Sequence, residues 1–216
     1  MDIVRLDRSD TAYPTALNHY LGKDAPLSVA ALGNLEILTH KKLALFCSVK
    51  CPAKLILQTH DLAHELAQAR VTVIGGFHSP VERECLRILL RCTQPVLICP
   101  ARSLKKLRMQ AEWRKALDEG RLLFLSPFPD NRHRSDIQMA LYRNRFVAAL
   151  ADRVFIPYAG PSSKTEQFCR EILAWNKPVY TFSNASNENL MEQGARPLTP
   201  SEGAQIGLGV DKRSED

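Results

Sequence analysis

Short apolar runs alternate with helix-patterned stretches along almost all of this 216-residue chain, and that alternation constrains its fold more than any single motif. Residues 42–47, 71–74, 95–99, 122–125, 154–156 and 178–182 are compact runs dominated by Val, Ile, Leu, Phe and Cys, with the length of buried strands. Between the first two runs, residues 53–70 carry Leu55, Leu62, Leu66 and Ala69 on one helical stripe. Residues 81–89 place Val81, Cys85, Leu86, Ile88 and Leu89 on one broad face, behind a Ser79 N-cap and a first-turn Pro80. Residues 103–119, 137–150 and 164–175 also read as helices, the first of them strongly basic.

Strands separated by helices must pair in parallel, because the intervening helix carries the chain back across a sheet face. Right-handed crossovers then predict an α/β fold: a Rossmann-like, doubly wound, mostly parallel sheet with helices on both faces. Residues 41–200 form that domain. Residues 1–40, irregular around Pro14, Gly22, Pro26 and Gly33 with one short helix, read as a lead-in segment packed on the core. Residues 201–216 are polar and read as a disordered tail.

Several function classes fall away. The first eight residues carry four charges, and no apolar run approaches a membrane span, so the expectation is a cytoplasmic protein with no membrane partner. Six scattered cysteines without a C-x-x-C pair predict buried reduced thiols rather than a metal centre. Gly75-Gly76 follows a strand, but the G-x-G-x-x-G spacing and the Walker sequence are both missing, so no nicotinamide or ATP cofactor is expected.

What remains is a phosphate-seeking pattern. The formal net charge is +6, and between Arg102 and Arg145 eleven basic residues face five acids. The strand at 154–156 leads into the loop Tyr158-Ala-Gly-Pro-Ser-Ser-Lys-Thr-Glu166 and then a helix, so Gly160, Ser162, Ser163 and Lys164 stand where small residues let a phosphate meet helix N–H groups. A plain turn with a serine N-cap is the alternative. Arg143 and Arg145 are expected on the exposed rim at a helix start, either touching phosphate or simply solvated. Glu166 reads first as a first-turn acid complementing the helix dipole. His78, on the Gly75-Gly76 turn, reads equally as a ligand contact or a polar turn residue, and Trp113, Phe128 and Tyr142 are candidate stacking surfaces.

On that scaffold several strings resemble the DNA-processing protein A family, also called Smf, within a superfamily shared with the Lonely Guy proteins. They are Tyr13-Pro14, Gly33-Asn34-Leu35, the run from Lys42 to Ser48, Gly75-Gly76, Phe128-Pro129, Arg143-Asn144-Arg145 before an Ala-Leu run, and Asn189-Leu190 with Gly194-Ala195. The likeness spans residues 13–200. It implies a Rossmann-like domain that binds single-stranded DNA, forms a homodimer and assists a RecA-type recombinase. Carried onto this sequence, the binding set is Ser48, Lys50, Gly75, Gly76, His78, Arg143, Asn144, Arg145, Gly160, Ser162, Ser163 and Lys164. Two departures stand out: the family's Gly-Ser-Arg reads Cys47-Ser48-Val49, with Lys50 next door, and its Gly-Ile-Asp becomes Ser79-Pro80-Val81-Glu82.

The same central block also aligns with the Lonely Guy phosphoribohydrolases. There Arg143 falls on the family's catalytic arginine and Glu166 on its catalytic glutamate, which implies a small-nucleotide sensor or a nucleoside monophosphate hydrolase as the alternative function. Two of that family's three loop glycines and its leading proline are absent here.

Overall fold

The computed structural model describes residues 2–198. In chain order the elements are β1 (Val4–Asp7), α1 (Ala16–Leu21), β2 (Ser28–Gly33), β3 (Lys42–Leu45), α2 (Ala53–Gln68), β4 (Thr72–Gly75), α3 (Pro80–Arg91), β5 (Val96–Ile98) and α4 (Ala111–Asp118). There follow β6 (Leu122–Ser126), α5 (Ile137–Leu150), β7 (Arg153–Phe155), α6 (Lys164–Ala174), β8 (Val179–Phe182), α7 (Glu188–Glu192) and β9 (Arg196–Leu198). The strands form one sheet in the order β1-β2-β6-β5-β4-β3-β7-β8-β9. From β6 through β9 every pairing is parallel, and β1 and β2 extend that edge antiparallel.

This order is the doubly wound arrangement expected from the alternation. The chain starts at β3 and moves outward through β4, β5 and β6, then returns through α5 to β7 on the other side of β3. Reversing direction while keeping the crossover hand puts the later helices on the opposite face. Period-2 alternation in the strands supplies both faces with apolar side chains: Leu43, Leu45, Val73 and Val96 pack with α2, α3 and α4, whereas Ala44, Phe46, Ile74 and Leu97 pack with α1, α5 and α6.

Two stretches depart from the sequence reading. The lead-in, expected to be irregular apart from a short helix, contributes β1 and β2 to the sheet. In β2 the residues Val29, Ala30, Ala31 and Leu32 are all buried; two alanines gave the run a weak strand signal, and pairing with β6 overrode it. Gly33 closes this strand against β6 at φ +121°, where a Cβ would fall 2.2 Å from the carbonyl oxygen of Leu122. The basic helix expected over 103–119 exists only as Ala111–Asp118. Ser103 is instead buried, its backbone N–H donating to the Arg132 carbonyl at 2.8 Å and its hydroxyl accepting from the Lys105 N–H at 3.0 Å, so the side chain holds a turn that competes with helix.

The carboxyl end of α5 is closed by a buried lysine. Lys177 Nζ donates to the carbonyls of Ala148 at 2.6 Å and Ala149 at 3.0 Å and also to Ala151, and it lies 3.8 Å from the Tyr20 ring centroid. These are the carbonyls a helix leaves unpaired, at the negative end of its dipole. Burial pulls the ammonium's pKa down from its ordinary value to about 8. Among the described residues no helix is long and apolar enough to cross a membrane.

Candidate nucleic-acid interface

The strand order reverses between β3 and β7, and the space outside the carboxyl ends of these strands is where ligands of doubly wound sheets collect. Three turns wall it. The turn after β3 carries Cys47, Ser48 and the exposed Lys50; the turn after β4 carries Gly76, Phe77 and the exposed His78; the turn after β7 runs from Pro157 to Ser163 and is followed by the exposed Lys164. Ser48 N–H donates to the Tyr158 carbonyl at 3.0 Å, and Gly160 N–H donates to the Ser48 hydroxyl at 3.3 Å. The first and third turns are therefore stitched together.

Two buried glutamates hold these turns, and each belongs to a Ser-x-x-Glu string. At the start of α3 the Ser79 hydroxyl accepts from the Glu82 N–H at 3.3 Å, while the Glu82 carboxylate accepts from the His78 N–H at 2.7 Å and the Cys47 N–H at 2.9 Å. At the start of α6 the Ser163 hydroxyl accepts from the Glu166 N–H at 3.2 Å, and the Glu166 carboxylate accepts from the Ser162 N–H at 2.7 Å and from the Asn189 amide. Both are capping boxes shifted by one residue toward the preceding turn. Glu82 thereby ties the β3 turn to the β4 turn. Asn189 on α7 also donates to the Ala159 carbonyl at 3.1 Å and so supports the third turn from beneath.

This geometry changes the chemistry expected of the Gly160–Lys164 loop. An anion would be drawn to the N-terminus of α6, but the Glu166 carboxylate already occupies that field. Ser163 N–H donates to the Gly160 carbonyl at 3.0 Å, so the amides of Gly160, Ser162 and Ser163 are all used within the protein. What the turns offer outward is side chains: the hydroxyls of Ser48 and Ser162 and the ammonium groups of Lys50 and Lys164.

The arginine pair is not at a helix start. The N-cap of α5 is Asp136, whose side chain accepts from the Met139 N–H at 2.8 Å, so Arg143, Asn144 and Arg145 lie in the helix interior. Arg143 is 5% exposed, contrary to the expectation of a rim position. Its Nη1 donates to the Cys99 carbonyl at 3.1 Å and its Nε to the Asn144 side chain at 2.9 Å, while burial lowers its pKa and the nearby Glu82 charge opposes that shift. Arg145 pairs with Glu171 at 2.6 Å and with Asp24 at 3.3 Å, tying α6 to the chain after α1. The reason is the breadth of the surface this helix covers: α5 packs against the sheet and also against α1, leaving little of its circumference for solvent.

Gly75 and Gly76 have a corresponding explanation. A Cβ on Gly75 would meet the Phe77 ring at 3.2 Å, and one on Gly76 would collide with the Arg143 guanidinium. The second glycine thus makes room for an arginine of the protein itself. Of the candidate stacking rings, Tyr142 donates to the Asp24 carbonyl at 2.7 Å and meets Phe128 edge-on, with centroids 5.9 Å apart. Trp113 is half-buried against Phe124. The cysteines are free thiols; Cys47, Cys85, Cys99 and Cys169 are buried, and Cys51 and Cys92 half-buried.

Sequence reasoning placed the three turns but missed Glu82 and Asn189 as their supports. The repeated Ser-x-x-Glu at 79–82 and 163–166 was the available signal.

The sheet order and the switch-point crevice define an α/β protein of the doubly wound, Rossmann-like class. More particularly, the chain belongs to the DNA recombination-mediator protein A family, which it matches over residues 5–212. Its fold is similar to that of DNA processing protein A from Streptococcus pneumoniae, with TM-score 0.78, 16% identity, and coverage of 95% of this chain and 74% of that one. It is also similar to DNA processing protein A from Helicobacter pylori, a structure described for its single-stranded DNA binding mode, with TM-score 0.76, 20% identity and 97% of both chains covered. A molybdenum cofactor binding protein from Rippkaea orientalis shares the fold more distantly, with TM-score 0.54, 11% identity, and coverage of 77% of this chain and 94% of that one. Comparison with curated protein sequences finds no match.

Proposed function

We propose that this chain binds single-stranded DNA across the strand-end crevice as a DNA-processing, recombination-mediating protein. The observation that carries the proposal is the family match over residues 5–212, nearly the whole chain. The relative from Helicobacter pylori binds single-stranded DNA, and here Lys50, His78 and Lys164, exposed on or next to the three strand-end turns, are the cations and imidazole we assign to the same task.

The division of labour follows from burial. Lys50 and Lys164 meet phosphates, Ser48 and Ser162 offer hydroxyls, and His78 lines the rim. Arg143 holds the Gly76 turn from behind, with Asn144 fixing its guanidinium; three of its five N–H donors lack a hydrogen bond among the described residues and can strengthen the field in the crevice. Arg145 supports α6. Gly75, Gly76, Gly160 and Ser163 shape the turns. Handing the strand to a RecA-type recombinase and homodimer formation are further parts of this proposal, resting on family membership alone, and the expected cytoplasmic setting accords with them.

The test is fluorescence-anisotropy titration of a labelled single-stranded oligonucleotide at two salt concentrations. Tight binding at low salt that weakens steeply at high salt supports the reading. Absence of binding at low salt would exclude it, and nucleoside monophosphate hydrolysis, the Arg143 and Glu166 alternative, would then be assayed. In the structure Glu166 is committed to the Ser162 and Asn189 contacts.

A further inference from the structure

A second cavity adjoins the crevice on the side of β5 and β6. It measures about 430 Å³ and lies between α3 and α4, sharing Gly76 and Phe77 with the turn after β4. Its floor is apolar, built from Leu86, Leu90, Ile98 and Phe124, and the half-buried Trp113 forms one wall. Along its rim Arg83, Arg87 and Arg91 project from α3, all exposed. Four-residue spacing puts these three arginines on one stripe of the helix. Arg87 also pairs with Glu84, and Glu112 on α4 contributes one carboxylate to the opposite rim.

An aromatic wall over an apolar floor, bordered by a row of cations, matches a nucleotide: a flat base beside the indole and a phosphate backbone along the guanidinium groups. Three arginines at successive helical turns suit a repeating anion better than a single one, and Glu112 can accept a hydrogen bond from a base amino group. We infer that this groove is the continuation of the single-strand path out of the crevice, with a base against Trp113 and successive phosphates on Arg83, Arg87 and Arg91. The inference rests on the proposed single-strand binding and adds to it a second subsite on the α3–α4 side of the sheet. The occupant is a segment of the same bound strand, since Gly76 and Phe77, on the turn after β4 that flanks the crevice, also line this groove.

The chain has two tryptophans, and the other, Trp175, stacks on Tyr20 at 5.5 Å. In a Trp175→Phe variant, Trp113 is therefore the sole indole and its fluorescence reports the groove directly. Adding an oligothymidylate is expected to quench that emission, with shorter oligonucleotides quenching less than ones long enough to span both subsites. Changing Arg83, Arg87 and Arg91 together to alanine, all at exposed positions, is expected to abolish the quenching and to weaken long-oligonucleotide binding at least tenfold. The salt slope should fall by about 2, three contacts at about 0.7 each.

Anisotropy separates the outcomes. If the wild-type chain binds the oligonucleotide while Trp113 emission and the triple variant's affinity stay unchanged, the groove is no part of the path and this inference fails, with the crevice reading intact. If free thymidine monophosphate quenches as strongly per nucleotide as the oligonucleotide, the groove is a separate small-nucleotide site and the inference fails. If nothing binds at low salt, both readings fall together.

Discussion

A Cβ placed on Gly76 would lie 1.4 Å from Nη1 of Arg143 and 1.9 Å from its Cζ. No rotation of a methyl group relieves such an overlap, and the guanidinium is already fixed by the Cys99 carbonyl and the Asn144 side chain. Gly76→Ala is therefore expected to lower stability by about 1–3 kcal/mol, the usual range for overpacking. The double variant Gly76→Ala/Arg143→Ala should lose clearly less than the two single losses added together, measured by urea unfolding. Additive losses would show that the residues act independently.

The exposed and buried cations should separate in experiment. Lys50→Ala/Lys164→Ala is expected to leave the urea midpoint unchanged and to reduce the salt slope of oligonucleotide binding by about 1.4. Arg143→Ala should cost about 1–3 kcal/mol of stability, because it strips a buried carbonyl of its donor. A stable Arg143→Ala protein with an unaltered melting temperature would contradict the buried arrangement.

Arg145→Ala offers a third pattern. Its two ion pairs are part-exposed, so the loss should be less than about 1 kcal/mol, with oligonucleotide affinity retained. A large drop in affinity without a stability change would instead place Arg145 on the DNA.

Glu82 supports two turns through single amide contacts. Glu82→Ala is expected to accelerate hydrogen exchange at the Cys47 and His78 amides ahead of the rest of the sheet and to cost about 1–3 kcal/mol. Glu166→Ala should show the same local effect at Ser162, with single-strand binding preserved. Loss of a base-releasing activity in that variant would revive the hydrolase reading.

Alkaline pH should act on stability with two signs. Burial raises the Cys85 and Cys169 thiols to about 12 and pushes Cys99 upward as well, so the folded chain keeps protons that the unfolded chain sheds above about 9. These three groups make stability fall as pH rises past 9. Lys177, lowered to about 8, works oppositely: between pH 8 and its ordinary value the unfolded chain holds the extra proton, and stability rises. The expected profile is a gentle rise from pH 8 to 9 followed by a net decline above pH 9, where three raised thiols outweigh one lowered ammonium. Lys177→Met should remove the rise. Urea midpoints across pH 7.5–10 check both limbs.

The sequence disclosed the sheet because each central strand is short, apolar and followed by an amphipathic helix, and α5 was legible to the residue at both ends. It concealed β1 because three of that strand's four residues are exposed, so no apolar run announces it. Two of the turns, after β4 and after β7, were visible from their small residues, while the turn at Ser48 and Lys50 came from the family resemblance. The orientation of Arg143 was not, because the rule that arginine stays on the surface yields where a glycine in the turn after β4 leaves room and a carbonyl supplies a partner. Pattern along a chain reports which face is apolar; it says nothing of what a neighbouring turn leaves out to accommodate a side chain.

The stitches across the crevice join residues far apart in the chain: Gly160 to Ser48 across 112 positions, Glu82 to Cys47 across 35, and Asn189 to Ala159 across 30. No local hairpin or helix can therefore rehearse this site during synthesis. A nascent chain that has laid down β3 to β6 already owns half a sheet, yet it lacks one bank of the crevice until β7 emerges and inserts beside β3. The crevice is complete only once β7 is in place beside β3, so under the proposed function an oligonucleotide would stabilise only molecules that have completed that insertion, by mass action on the finished state.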